Sequence, residues 1–356
     1  MMQYPQRWAL RPGSKRVLLL AAALLCLVLM VFSITQGSYG MTVGQVVRTI
    51  GSGLGLCEPT TDPMHQTIVW TVRLPRVLMA ALCGMGLSLA GGVFQGVFRN
   101  PLVEPYILGV SSGAACGAAL SILLAGTGLL AGLPTGGLLS AGGLAFLFSL
   151  LAMGLAYSIA TVNSETPLVN LILAGTVISS VFTALLNLLK MLANDGALRE
   201  ITFWLMGGFY NASWSKALGM FPVVLGCLLV FRGLGWRLNV LSMGENEAKS
   251  MGLATGWLKF LALGLATLLT AVCVSQAGII SWVGLMMPHM ARMLAGPDHR
   301  TLLPLSAFLG GGFLVLCDTL ARTLTLGELP ISILTSLLGA PYVIYLLRKN
   351  RQVYFE

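Results

Sequence analysis

The amino-acid sequence predicts an all-α polytopic membrane protein with roughly ten transmembrane helices per subunit. Three observations carry that reading. Of the 356 residues, 56% are hydrophobic and only 9% are charged, where an average soluble domain carries about 25% charge. Mean hydropathy is +0.86, and apolar runs of about 20 residues, the length that crosses roughly 30 Å of hydrocarbon, recur along the whole chain. The 43 glycines fit the same class, because small residues let helices approach closely where no hydrophobic effect drives them together.

In chain order the runs fall at 17–36, 74–97, 107–125, 138–160, 168–190, 214–231, 257–276, 279–294, 302–320 and 331–347. The first follows a basic stretch (Arg7, Arg11, Lys15, Arg16). It is longer than a signal-peptide h-region and lacks an A-x-A site before Gly37, so it reads as a retained span. The run 279–294 is short and contains Pro288, which predicts a broken or tilted element whose freed backbone groups neighbouring helices must cover.

Ten spans place both termini on one side. With cytoplasmic termini, fourteen of the 21 Lys and Arg lie inside, namely Arg7, Arg11, Lys15, Arg16, Arg99, Arg232, Arg237, Lys249, Lys259, Arg292, Arg300, Arg348, Lys349 and Arg351. Arg48, Arg73, Arg76, Lys190, Arg199, Lys216 and Arg322 lie outside. This two-to-one bias favours that orientation in the cytoplasmic (inner) membrane. The chain then forms a single transmembrane domain over 1–356, with a cytoplasmic N-terminus (1–16), an outer loop (37–73) and a cytoplasmic loop (232–256). The outer loop holds Cys57, Glu58, Asp62 and His65. Within the inner one, LSMGENEAKSM from Leu241 to Met251 reads as a short amphipathic helix that contacts water, headgroups or another protein.

Composition and motifs also exclude. No basic tract interleaves with aromatics, so nucleic acid is set aside despite the net charge of +9. Cys26, Cys83, Cys116, Cys227, Cys273 and Cys317 lie in apolar runs and only Cys57 in a polar loop, so no disulfide framework is implied. There is no G-x-x-x-x-G-K-[ST], so no P-loop for ATP, and no H-E-x-x-H or C-x-x-C. His65, His289 and His299 are scattered, and no metal or catalytic site is assigned. Ionisable residues inside the runs are few, Asp318 being the clearest, which argues against an ion-coupled secondary transporter and its midplane carboxylates or histidines.

Three blocks carry a resemblance. RLPRVLMAALCGMGLSLAGGVFQGVFRNPLVEPYILGVSSGAA (Arg73 to Ala115), WVGLMMPHMARMLAGPDHRTLLPLSAFLGG from Trp282, and ELPISILTSLLGAPYVIYLLRK from Glu328 resemble the signature blocks of the FecCD family of ABC-importer permeases, of the iron-siderophore, haem and vitamin B12 type. With LILAG at 171–175 and ITFWLMGGF at 201–209, the similarity covers about residues 66–349. One departure stands out. Where many members read G-P-I-G-F-V-G-L, this chain has Gly278-Ile-Ile-Ser-Trp-Val-Gly-Leu285, so the helix break expected at this junction lacks its proline.

The resemblance implies a machine with separate parts. Two copies of the chain form the pathway as a homodimer, two ATP-binding cassette ATPase subunits bind below, and a periplasmic or lipoprotein substrate-binding protein docks above. The chain itself is then no enzyme and binds no cofactor, while ATP and Mg sit on the partner ATPase. The resemblance assigns ATPase coupling to Leu241, Gly244, Glu245, Glu247, Ala248, Gly252 and Leu253. It assigns binding-protein docking to Arg73, Arg76 and Arg322, whose guanidinium forks would pair bidentately with carboxylates. Asn100 and Leu102 are expected to close a cytoplasmic gate, in a turn shaped by Pro101 and Pro105. For cargo, the lack of mid-span basic residues favours a bulky metal chelate (ferric siderophore, haem or cobalamin) over an oxyanion of the molybdate or tungstate type.

Overall fold

The structure is a computed structural model that describes residues 12–37, 39–56, 63–126, 137–161, 167–325 and 327–349. Its described residues form helices and no strands. Ten of the helices match the ten apolar runs: α1 (Pro12–Thr35), α4 (Leu74–Phe98), α5 (Val110–Gly126), α6 (Ala141–Ala160), α7 (Leu168–Leu192), α9 (Trp214–Met243), α11 (Thr255–Ala277), α12 (Val283–Ala295), α13 (His299–Thr323) and α14 (Ile331–Lys349). Between them lie α2 (Val43–Gly53), α3 (Pro63–Gln66), α8 (Asp195–Leu205) and α10 (Glu245–Ser250). Seven crossing helices meet the length and hydropathy of a span outright, α5 and α14 are shorter apolar helices, and α12 has 13 residues.

Helix α4 is the axis of the bundle. Almost every residue from Val77 to Phe98 is buried, and α13, α11, α9 and α12 surround it. Its sequence explains why. A Cβ on Gly84 would overlap the Gly310 carbonyl of α13, and one on Gly91 would overlap the Gly284 carbonyl of α12. Backbones therefore touch at two heights, which is how small residues hold membrane helices together. Pro288, inside α12, lacks the N–H that would bond Gly284, and that freed carbonyl is the one aimed at Gly91.

Three expectations change. The outer loop 37–73 is largely helical: α2 starts at a capping box, Thr42 with Gln45, and α3 continues through a π-helical stretch, Thr67–Arg73, into α4. The π geometry places Arg73 inside a continuous helix, while Cys57, Glu58 and Asp62 lie outside the described residues, as do Arg7 and Arg11. The inner loop 232–256 is also mostly helix. Helix α9 runs unbroken for 30 residues, about 45 Å, so Arg232, Arg237 and Leu241 sit on its water-bound extension. The amphipathic segment 241–251 is thus split by Gly244 (φ +156°), and α10 keeps six residues. Finally, α8 was not anticipated. It follows α7 directly, capped by the Asn194 side chain on Ala197 N–H at 2.9 Å, and returns into the bundle to meet the α11–α12 junction.

That junction is non-helical despite its missing proline. Gly278 (φ +71°) and Trp282 (φ +74°) bracket it. A Cβ at Gly278 would overlap the Trp204 carbonyl of α8, so glycine serves here for both dihedral and space. Non-helical backbone at membrane depth survives only where protein satisfies it. Gly208 N–H donates to the Ala277 carbonyl (2.8 Å), Ile331 N–H to Gly207 (3.2 Å) and Ser332 N–H to Met206 (3.3 Å).

Candidate functional site

At one end of the bundle the three arginines expected to dock a partner form a buried cluster. Arg76 and Asp318 are 7% and 0% exposed. Arg76 donates from Nε to both Asp318 oxygens (3.0 and 3.2 Å), from Nη2 to Oδ1 (2.9 Å), and from Nη1 to Glu328 (2.8 Å). Arg322 Nε lies 3.3 Å from Asp318 Oδ2, one helical turn away. Among the described residues the third arginine meets carbonyls rather than a carboxylate. Arg73 Nη1 donates to the Ile34 carbonyl (2.7 Å), and its Nη2 to Tyr39. Arg322 Nη2 and Nη1 likewise reach the Ser33 and Gln36 carbonyls at 2.6 and 2.9 Å. A helix ends with four carbonyls lacking intrahelical donors; here two guanidinia cap the C-terminus of α1, where the dipole also favours cations. None of the three stands free on the surface. The accessible charge is the half-exposed Glu328 carboxylate, which with Arg76, Phe203, Phe209 and Tyr210 lines a cavity of about 320 Å³.

The opposite end carries α10. Glu245 turns back onto Lys259 of α11, with both carboxylate oxygens 3.1 Å from Nζ, and accepts from Thr255 Oγ1 at 3.3 Å. Lys259 is 3% exposed. Burial alone would raise the Glu245 pKa, but the Lys259 bond and charge, helped by Lys249 and Thr255, hold it below the ordinary carboxylate value. Ala248 is the buried residue of α10, Leu253 is half-buried, and Glu247 and Gly252 are exposed. Of the two acids expected at a coupling surface, only Glu247 is presented; Glu245 fixes the helix. Beside it, Met243 and Met251 are exposed.

The Pro297–Arg300 loop is tied locally. Asp298 caps Arg300 N–H (3.1 Å) and accepts from Asn239 (2.8 Å), while Asn239 Oδ1 accepts His299 N–H at 2.8 Å and faces Nδ1 at 2.7 Å. Burial pushes the Asp298 pKa up, and the Asn239 and Arg300 bonds with the Lys15 charge outweigh it, so the carboxyl titrates low. The Lys15–Asp298 pair (3.7 Å) places the start of α1 at the α10 end.

The expected gate turn leaves α4 through Arg99 in left-handed geometry (φ +53°). Asn100 Oδ1 accepts Leu102 N–H at 2.9 Å, an Asx turn, with Asn100 exposed and Leu102 half-buried. Beyond it, Glu104 Oε1 accepts Trp282 N–H at 3.1 Å and Tyr106 Oη donates to the Ile280 carbonyl at 2.7 Å. Glu104 was not singled out from sequence; a carboxylate in the apolar stretch LVEPYIL was the available signal. Gly109-Val-Ser-Ser-Gly113 fits the G-x-S-x-G spacing of a nucleophile elbow, with Ser111 at the nucleophile position, but it follows a 3₁₀ turn rather than a strand, so the strand–turn–helix context of an elbow is missing.

A bundle of helices long and apolar enough to cross a membrane, with irregular backbone covered by protein in its interior, defines a polytopic membrane protein. The chain belongs to the FecCD transport family, whose model matches residues 25–349. It is 39% identical to the molybdate import system permease protein MolB of Haemophilus influenzae, over 93% of this chain and 95% of that one. It is 41% identical to the cobalamin import system permease protein BtuC of Halobacterium salinarum (81% and 75%) and 36% identical to the hemin transport system permease protein HmuU of Yersinia pestis (82% and 86%). A solved structure, described as an inward-facing conformation of a metal-chelate type ABC transporter, matches with TM-score 0.81 at 37% identity, covering 94% of this chain and 99% of that one.

Proposed function

We propose that this chain is the permease subunit of an ABC importer that passes a metal chelate across the cytoplasmic membrane, with its termini inside. Two copies form the pathway, two ATPase subunits holding ATP and Mg seat α10, and a substrate-binding protein docks at the arginine end. The observation that carries the cargo class is the exposed face of α7. Thr176, Ser180, Thr183 and Asn187 recur at helical spacing within a narrow arc and are all exposed. No charged residue interrupts α7 before Lys190. A neutral polar stripe on a membrane-length helix suits a water-filled route with weak, uncharged contacts, the kind a bulky chelate needs. The relative named for molybdate supports a second reading, an oxyanion.

The test is co-purification followed by uptake. The chain should bring down a P-loop ATPase, and proteoliposomes holding the whole complex should take up one of haemin, cobalamin, ferric ferrichrome or molybdate only with ATP inside. Accumulation by the chain without any ATPase would overturn the importer reading; uptake of molybdate alone would replace the chelate.

A further inference from the structure

The segment after the gate turn fastens both sides of the helix break. Glu104 Oε1 takes the Trp282 N–H and, two residues on, the Tyr106 hydroxyl takes the Ile280 carbonyl. Trp282 holds a left-handed conformation (φ +74°), which a bulky aromatic keeps only when its surroundings hold it there. It is the N-cap of α12 and makes no side-chain cap, so the Glu104 side-chain oxygen is the acceptor that meets its N–H at the start of the helix. The Trp282 indole in turn lies against Gly339 of α14, where a Cβ would overlap the ring.

The same segment is tied toward α10. Ser242 Oγ, two residues before Gly244, shares its one proton between the Leu238 carbonyl (2.7 Å) and the Gly96 carbonyl (3.2 Å), and Asn100 N–H donates to the Gln95 carbonyl at 3.2 Å. Gln95 Nε2 donates to the Leu285 carbonyl of α12 at 3.0 Å. A continuous set of contacts thus runs from the end of α9 through the foot of α4 and the gate turn to Trp282 and α14. Two side chains join the turn to the break, Glu104 at Trp282 and Tyr106 at Ile280, and only Glu104 holds the residue that starts α12.

We propose that Glu104 is a positioning residue that locks the gate turn to the α11–α12 break, so that Asn100 and Leu102 cannot move without carrying Trp282 and α14. This rests on the importer reading above. A pull on α10 reaches Gly96 through Ser242, turns the 99–104 segment, and arrives at α14 through the Glu104–Trp282 bond. The bond requires an acceptor at that place, not a charge.

The experiment uses the whole complex in proteoliposomes with Glu104→Ala, Glu104→Gln and Tyr106→Phe. ATP hydrolysis is measured beside uptake of whichever of haemin, cobalamin, ferric ferrichrome or molybdate the wild type carries. The expected result for Glu104→Ala is a roughly tenfold or greater fall in uptake per ATP hydrolysed, as loss of a coupling contact worth about a factor of 10 requires. Glu104→Gln, which keeps a carbonyl oxygen, should stay within about twofold of wild type, and Tyr106→Phe should fall in between. Uptake per ATP in Glu104→Ala that equals wild type overturns the proposal, and so does Glu104→Gln as impaired as alanine. If Glu104→Ala does not assemble, an unchanged ratio in Tyr106→Phe overturns it. Amide hydrogen exchange on the chain alone reads the lock without transport: residues 280–285 should exchange faster in Glu104→Ala and not in Glu104→Gln, and equal exchange refutes the lock. A wild-type complex without ATP-dependent uptake removes the importer reading, and the exchange result still decides the lock.

Discussion

Replacing Asp318 with alanine tests whether the arginine cluster is structural. Its carboxylate is fully buried, takes three hydrogen bonds from Arg76 at 2.9–3.2 Å and an ion pair from Arg322 at 3.3 Å. Deleting it leaves Arg76 with the half-exposed Glu328 and Arg322 with neutral acceptors, the Ser33 and Gln36 carbonyls and the Ser33 hydroxyl. Breaking a buried pair from one side costs about 3–5 kcal/mol, because a charge is left without compensation. With unfolding entropy of about 2 cal/mol/K per residue, a chain of this length has roughly 0.7 kcal/mol/K, so Tm should fall by about 4–7 °C. If helices persist in the denatured micelle, the entropy is smaller and the shift larger. Thermal melting of the purified chain in detergent, followed by near-ultraviolet circular dichroism, measures it. Arg76→Met with Asp318→Leu removes the central pair but leaves Arg322 and Glu328 without those partners, so it should recover part of the loss. A single mutant within about 1 °C of wild type, or a double mutant worse than Asp318→Ala, would refute the argument.

Further outcomes follow from the same geometry. Gly91→Ala drives a methyl group into the Gly284 carbonyl and should cost about 1–3 kcal/mol or more by separating α4 from α12, read as a lower Tm in the same melt. Arg73→Glu with Arg322→Glu removes the donors that cap α1; complex assembly should therefore weaken equally at low and high salt, whereas a docking role alone would show a stronger loss at low salt. The Glu245 pKa is lowered in the folded chain, so its contribution is complete above the ordinary carboxylate value and is lost as pH falls through the folded one. Hydrogen exchange in α10 should be slower in wild type than in Glu245→Gln at neutral pH, and the difference should persist down to the ordinary carboxylate range and fade only as pH drops below it. Glu247→Arg should weaken ATPase association without lowering Tm, since the side chain is exposed; a matched fall in Tm would make it a structural residue.

The ten apolar helices were legible because each is a sustained run of apolar residues, seven of them of the length a bilayer sets, and the ordered signature blocks made the family legible. Partnerships were not. Arg76 meets Asp318 and Glu328 across 242 and 252 residues of sequence, and nothing local to 73–76 shows that these guanidinia point inward. Charge at the end of a span reads as a docking or snorkelling residue until the chain that closes over it is known. The stretch 232–243 read as loop for a related reason. Beyond residue 231 the apolar pattern of α9 is diluted by Arg232, Arg237 and Asn239 and weakened by Gly233 and Gly235, yet the helix continues because Leu234, Leu238 and Leu241 recur on one buried face and no proline intervenes before Gly244.

The missing proline at 278–285 gives the sharper lesson. A proline enforces a break by removing one donor and fixing one dihedral, and a sequence lacking it looks able to continue as helix from α11 into α12. Here the break is held from outside the segment. Gly278 adopts φ +71° against the Trp204 carbonyl, Glu104 and Tyr106 occupy a donor and an acceptor that a continuous helix would use itself, and Gly208 supplies a donor to Ala277. Irregular backbone from the ends of α8 and α11 and from the start of α14 thus satisfies itself mutually. Because these bonds join separate elements, small relative shifts of those elements need not leave a polar group facing lipid, which continuous helices packed only through side chains would not provide at this depth.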